Sequence, residues 1–227
     1  GATFLIRIEK WIDEKVTEQI TVDKPSLTVF TDFGSGYLDL LNAKLSDHAI
    51  AILDHHQPVS EPLSTFVQAN PHIHGIDGSR DLSGAGVAYF VAKALDEKNK
   101  DLACIAVVGA LADLQDKYAQ RKLGGVNEQI VEDAVNEGSL NVETDLLFFG
   151  RETRPIHKAL ACTTNPFIPS ISGEEDKSLA FLASLGIAPK HGEKWRALRD
   201  LSEEEKKNLF SGIADYLASK DFPSNTA

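Results

Sequence analysis

Three short runs place carboxylates or imidazoles at the ends of apolar segments: Thr31-Asp32-Phe33-Gly34-Ser35-Gly36, Asp54-His55-His56 after Ala49-Ile50-Ala51-Ile52-Leu53, and Gly109-Ala110-Leu111-Ala112-Asp113. Asp and His together suit Mn²⁺ or Mg²⁺ and also Zn²⁺, whereas the absence of thiolates among them argues against a structural zinc site. A site with two metal ions is the economical explanation. It would activate a water and neutralise phosphate oxygens, so that a phosphodiester is hydrolysed without a covalent intermediate. One His at a strand end is ordinarily a satisfied polar residue, and two after an Asp do not decide the matter. The decision rests on three segments ending in the same way.

Those residues need elements that bring the segment ends together. Thr3 to Ile8 reads as a strand and Trp11 to Ile20 as a helix, with Trp11, Ile12, Val16 and Ile20 at helical spacing. Leu27 to Asp32 is a second strand, Tyr37 to Leu45 a helix, and Ala49 to Leu53 a short β-branched run of the kind buried in parallel sheets. Strand, helix, strand, helix, strand predicts an α/β fold, a mostly parallel sheet flanked by helices. Ligands in such sheets collect beyond the carboxyl ends of the strands, where Asp32 and Asp54 to His56 stand. A strand is expected at Thr65 to Gln68, a loop over 70–78, and a helix over Val87 to Leu95 capped by Ser83. An apolar segment from Leu102 to Leu111 and a helix from Val126 to Asn136 follow, then a short strand and turn over 141–150. Helices are expected at Pro155 to Leu160, Ser178 to Leu185 and Glu203 to Ala218.

With 42% hydrophobic and 25% charged residues among 227, the chain can bury a substantial core. It has no apolar run near membrane-spanning length and no signal peptide at its start, which predicts a cytoplasmic protein without a membrane partner. The net charge of −11 argues against broad, non-specific attraction to nucleic acid. Cys104 sits in an apolar run and is expected as a buried free thiol, far from Cys162. The chain has no Met and opens in a strand-like run, which is expected of a chain lacking its natural start, or of one whose methionines are missing from the written sequence.

Secondary sites are open to two readings each. Ser83 and Gly84 start a helix whose amides suit a phosphate, with Arg80 nearby, but close helix packing explains the glycines nearly as well. Arg151, Arg154, His157 and Lys158 form the densest basic cluster, fit either for a substrate backbone or for an ordinary helix terminus. His72 and His74 alternate on an extended segment and read as loop structure, with a metal-adjacent role the lesser alternative. The Lys and Arg residues at 196, 199, 206, 207 and 220 are interrupted by Glu203 to Glu205 and read as a solvated helix.

With its Asp54-His55-His56 triplet the chain resembles the DHH phosphoesterase superfamily. Residues Gly75 to Gly78, Ser83 to Tyr89 and Phe149 to Leu160 are similar to the archaeal RecJ-like single-strand exonucleases, the branch that associates with the GINS replication complex. The likeness runs from Phe4 to about Ile187. It implies that Asp32 bridges two Mn²⁺ (or Mg²⁺) ions, that His55 and Asp113 complete the second metal site, and that His56 faces the scissile phosphate. Asp54 would orient a His, although a strand-end Asp often caps only neighbouring amides. The resemblance makes residues 1–150 the metal-dependent phosphoesterase domain and 151–227 a helical extension. Two departures stand against it: residues 1–31 lack the superfamily's upstream His and Asp motif, and nothing after Asp200 resembles the smaller domain that grips nucleic acid. The implied function is exonucleolytic hydrolysis of single-stranded DNA or RNA in replication or repair, with a GINS-type complex as partner. The alternatives are a phosphoesterase for short oligonucleotides or cyclic dinucleotides, and a non-catalytic replisome scaffold.

Overall fold

The computed structural model describes residues 3–143 and 146–220, and the chain divides into two compact units, Gly1–Val142 and Glu143–Ala227. In the first unit, β1 (Thr28–Thr31), β2 (Ile50–Leu53) and β3 (Phe66–Ala69) form a parallel sheet in the order β1-β2-β3. Thr28 pairs with Ile50, and Ile50 with Phe66, so all the strands end level. The helix α1 (Glu14–Asp23) precedes β1, and α2 (Leu38–Lys44) crosses from β1 to β2. After β3 come α3 (Gly84–Leu95), α4 (Ala103–Ala112) and α5 (Val126–Asn136).

Alternation along β2 explains the layers. Ile50 and Ile52 are buried in one cluster with Leu38, Leu41 and Leu45 of α2, while Leu53 packs on the other face against the cluster containing Val87, Val107 and Ile130. Fully burying a side chain such as Ile52 contributes about 1.5–3 kcal/mol. Helices on both faces leave the level carboxyl ends of the strands as the open edge of the layer.

The second unit contains α6 (Ile156–Cys162), α7 (Glu175–Ser184), a two-stranded antiparallel hairpin of β4 (Lys190–His191) and β5 (Lys194–Trp195), and α8 (Glu203–Ala218). Its core includes Ile156, Leu160, Ile168, Leu182, Leu198 and Leu209, all fully buried. Ser202 caps α8 by a reciprocal box, its hydroxyl taking the Glu205 amide while the Glu205 carboxylate takes the Ser202 amide.

Several expectations need correction. Thr3 to Ile8 forms no strand; Phe4, Leu5, Ile6 and Ile8 are strongly exposed, because β propensity without a ladder partner does not make a strand. The first helix begins at Glu14 rather than Trp11, since Asp13 accepts the Val16 amide at 2.9 Å and fixes the start. The expected loop at 70–78 opens with a 3₁₀ turn over Pro71–His74. Residues 141–143 and 146–150 contain no strand, and the rest of that expected element, 144–145, lies outside the described residues. Cys104 is partly exposed rather than buried, and both cysteines are free. The short hairpin around Gly192 (φ 59°) has too few residues to show an alternating pattern. Among the described residues no helix is long and apolar enough to cross a membrane.

Candidate metal centre

The strand ends set the first three groups. Asp32 follows β1 directly: its amide still donates to the Leu53 carbonyl at 2.9 Å, and its φ of 66° turns the side chain out of the sheet. Asp is one of the few residue types that adopts this left-handed conformation at modest cost. Gly84, the first residue of α3, comes so close that a Cβ there would lie 2.2 Å from Asp32 Oδ1. The small residue leaves room for the carboxylate.

Asp54 is fully buried and serves as the internal anchor of the site. Its Oδ2 accepts the Ser35 amide at 2.9 Å; its Oδ1 accepts the His55 amide at 2.8 Å and the His56 Nδ1 hydrogen at 2.7 Å. Burial works to raise its pKa, but the His56 hydrogen bond, the Ser35 and His56 amides and the nearby imidazole outweigh it and hold the carboxyl below its ordinary value. Asp54 is therefore an ionised carboxylate that fixes the His56 tautomer.

His55 is treated the same way by backbone. Its Nδ1 lies 2.6 Å from the Gly78 carbonyl oxygen, which places the hydrogen on Nδ1 and directs Nε2 to Asp32 Oδ1, 3.2 Å away. Burial lowers its pKa, yet the Asp32 hydrogen bond, the Gly78 carbonyl and the Asp113 and Asp32 charges push it up to about 9. The surroundings favour a positive charge at this imidazole. Asp32, His55 and His56 each offer a ligand atom, all within 4.8 Å of one another. Both imidazoles are tied through Nδ1, which leaves Nε2 for a ligand, and an anchored imidazole beside a carboxylate is the donor arrangement of divalent metal sites. The residues fit such an ion.

Asp113 caps the end of α4 and stands to one side of this trio, its Oδ2 3.5 Å from His55 Nδ1. It is held by Gln115, whose amide nitrogen donates to Asp113 Oδ2 at 2.8 Å and to the Gly78 carbonyl at 2.9 Å. Gln115 is fully buried and in turn accepts from Asn127 at 2.7 Å.

The other expected residues are placed differently. Ser83 is buried and caps α3, accepting the Gly86 amide at 3.1 Å. Arg80 pairs with Asp81 at 2.9 Å and lies 5.0 Å over the Tyr118 ring, so its guanidinium is engaged in structure. Arg151 and Arg154 belong to the second unit; Arg151 bonds the Leu146 carbonyl and Glu152, and Arg154 lies over Phe149.

Sequence reasoning passes over four residues that build the site: Ser35, Asn70, Gly78 and Gln115. Asn70 is buried and donates to Ser35 Oγ and to the His56 carbonyl, each at 2.8 Å, while its own oxygen accepts the His72 amide at 2.9 Å. Gly78 must lack a side chain because a Cβ would sit 2.1 Å from the His55 carbonyl oxygen. The Asn70-Pro71 pair, a helix-cap signal, was the one sequence clue to this network.

The chain is 34% identical over 214 residues to an uncharacterized protein of Methanocaldococcus jannaschii, covering 93% of this chain and 45% of the relative, so it spans about half the relative's length. Crystal structures of exonuclease RecJ bound to manganese and of RecJ from Thermus thermophilus in complex with Mn²⁺ align at TM-scores of 0.43 and 0.42, with 18% and 20% identity. Each alignment covers 92% of this chain, and 50% and 30% of those chains respectively. Residues 148–227 match the DHH-CID domain family. That match lies in a different stretch of the chain from the Asp54-His55-His56 triplet.

Proposed function

We propose that this chain carries the catalytic centre of a Mn²⁺- or Mg²⁺-dependent phosphodiesterase that removes nucleotides from single-stranded DNA or RNA. The observation that carries the reading is the convergence of Asp32, His55 and His56, with both imidazoles anchored through Nδ1. Asp32 and the two Nε2 atoms would hold a divalent ion, and Asp113 would complete a second position beside His55. When bound, such ions supply a hydroxide nucleophile and neutralise the phosphate oxygens. The chain's own contribution is positional: Asp54 keeps the His56 Nδ1 protonated and so leaves Nε2 of this more exposed ring turned to the side from which ion and substrate would approach. A role in replication or repair, alongside a GINS-type complex in the cytoplasm, accords with the resemblance of Phe149 to Leu160.

The test is a Mn²⁺-dependent assay of the full-length protein on an end-labelled single strand, with Asp32→Ala as control. Loss of at least about a hundredfold in the variant is expected, on the order of removing one essential ligand. Hydrolysis that persists in Asp32→Ala would rule the reading out.

A further inference from the structure

We propose that the cavity beside the metal group seats a phosphate of the substrate and that His72 and Lys117 donate hydrogen bonds to it, an inference that rests on the phosphodiesterase reading above. The cavity is an open cleft of about 460 Å³, with His55, His56 and Asp113 on its lining together with His72, Asp77 and Lys117. That volume is in the range of small-ligand sites and is adequate for a nucleotide.

His72 reaches this cavity by a defined route. Asn70 binds the His72 amide with its oxygen and the His56 carbonyl with its nitrogen, so a single buried side chain sets the turn relative to the triplet. The His72 ring lies against Gly78, where a Cβ would come within 2.9 Å of Nε2. The half-buried imidazole makes no hydrogen bond to any described residue and keeps its donor for a ligand. His74, two residues on, lines a different and apolar cavity of about 300 Å³ with Pro71, Ile76 and Phe90. Only His72 of the alternating pair faces the cluster.

Lys117 supplies the second donor. Its ammonium gives one hydrogen to the Ser79 carbonyl at 2.8 Å, which fixes it at the rim and leaves two others. Among the described residues it has no carboxylate within ion-pair distance. The acidic neighbour Asp77 accepts both the amide and the hydroxyl of Ser79 through Oδ1, at 2.8 and 2.7 Å, and its charge interacts with Arg80 and His72 without a hydrogen bond to either His72 or Lys117. In a chain of net charge −11, two side chains with donor hydrogens to spare, on the lining shared with the metal group, call for an anion.

The experiment uses the Mn²⁺-loaded full-length protein and the same labelled single strand. His72→Leu and Lys117→Met are each expected to raise KM about tenfold, the loss of one hydrogen bond to a charged phosphate, with kcat changed less than about threefold. Mn²⁺ binding followed by electron paramagnetic resonance should be unchanged. His72→Gln, which restores a donor near the Nε2 position, should recover most of the lost affinity. An unchanged KM in both variants overturns the inference, as does loss of Mn²⁺ in His72→Leu, which would make His72 a metal ligand. Those outcomes leave the phosphodiesterase reading standing provided that Asp32→Ala is inactive; hydrolysis independent of Asp32 removes both.

Discussion

The buried carboxylate of Asp54 receives the Nδ1 hydrogen of the largely exposed His56 at 2.7 Å. The pair links interior to surface: one end is held by the Ser35, His55 and His56 amides, and the other presents an imidazole nitrogen to solvent. Asp54→Asn tests this division of labour. The amide keeps the volume but exchanges a charged acceptor for a neutral group whose nitrogen faces donors. Mn²⁺ affinity should fall about 10- to 100-fold, the usual consequence of removing a partner that orients a metal-bound imidazole. Titration by electron paramagnetic resonance measures it directly; unaltered affinity would mean that Asp54 only caps backbone amides.

Gly84 and Asp32 make the next prediction. A Cβ on Gly84 would meet Asp32 Oδ1 at 2.2 Å and the Asp32 Cα at 3.0 Å, so rotation of the carboxylate alone does not relieve the clash. Alanine is otherwise the better helix residue by about 1 kcal/mol. Gly84→Ala should therefore keep the helical circular dichroism of the protein while weakening Mn²⁺ binding by about tenfold or more, as displacing a metal ligand's support does. Normal metal binding in this variant would show that Asp32 is free to move away from α3.

How much of this was legible in the sequence depends on the kind of signal. Val126–Asn136 and Glu203–Ala218 are helices with the boundaries their spacing predicts, because periodicity, joined in the second by the Ser202 cap, decides them. Asp32 and the Asp54-His55-His56 triplet are visible as chemistry at the ends of apolar runs, and the parallel register brings them level. What stays hidden is uncharged and long-range. Ser35 meets Asn70 across 35 positions and Gly78 meets Gln115 across 37, and an amide pairing at such separation leaves no periodic trace. The run Thr3 to Ile8 fails for the converse reason: its local preference is clear, but strand formation needs a neighbour.

Gln115 bears this out in energetic form. Fully buried, it satisfies Gly78, Asp113 and Asn127 with one amide group. Gln115→Leu fits the volume but strands the Asn127 amide and releases Asp113. Each unsatisfied buried group costs about 1–3 kcal/mol, so a loss of about 2–4 kcal/mol in urea unfolding is expected. The Asn127→Leu, Gln115→Leu double variant should recover part of that loss, since replacing both partners is cheaper than removing one. An additive double variant would argue against the pair.

The second unit has its own internal lock and its own pH response. Glu205 accepts both Nη groups of Arg196, at 2.8 and 2.5 Å, and the Ser202 amide at 2.8 Å. The Arg196 hydrogen bonds dominate over the opposing effect of burial and bring the Glu205 pKa down to about 2 from an ordinary 4.5. A depressed carboxylate pKa contributes stability that is fully present above the unfolded value and disappears as pH falls toward the folded one. The window here runs from about pH 4.5 down to about 2. Allowing for solvent screening of a partly exposed pair, the contribution at neutral pH is about 2 kcal/mol. Glu205→Gln should lose that amount at neutral pH and show a flatter stability profile than the parent between about pH 5 and about pH 2. Urea unfolding followed by the fluorescence of Trp195, in a Trp11→Phe background, reads the second unit alone. Parallel pH profiles for the two proteins would mean that the Arg196 contact adds no net stability despite its bidentate geometry.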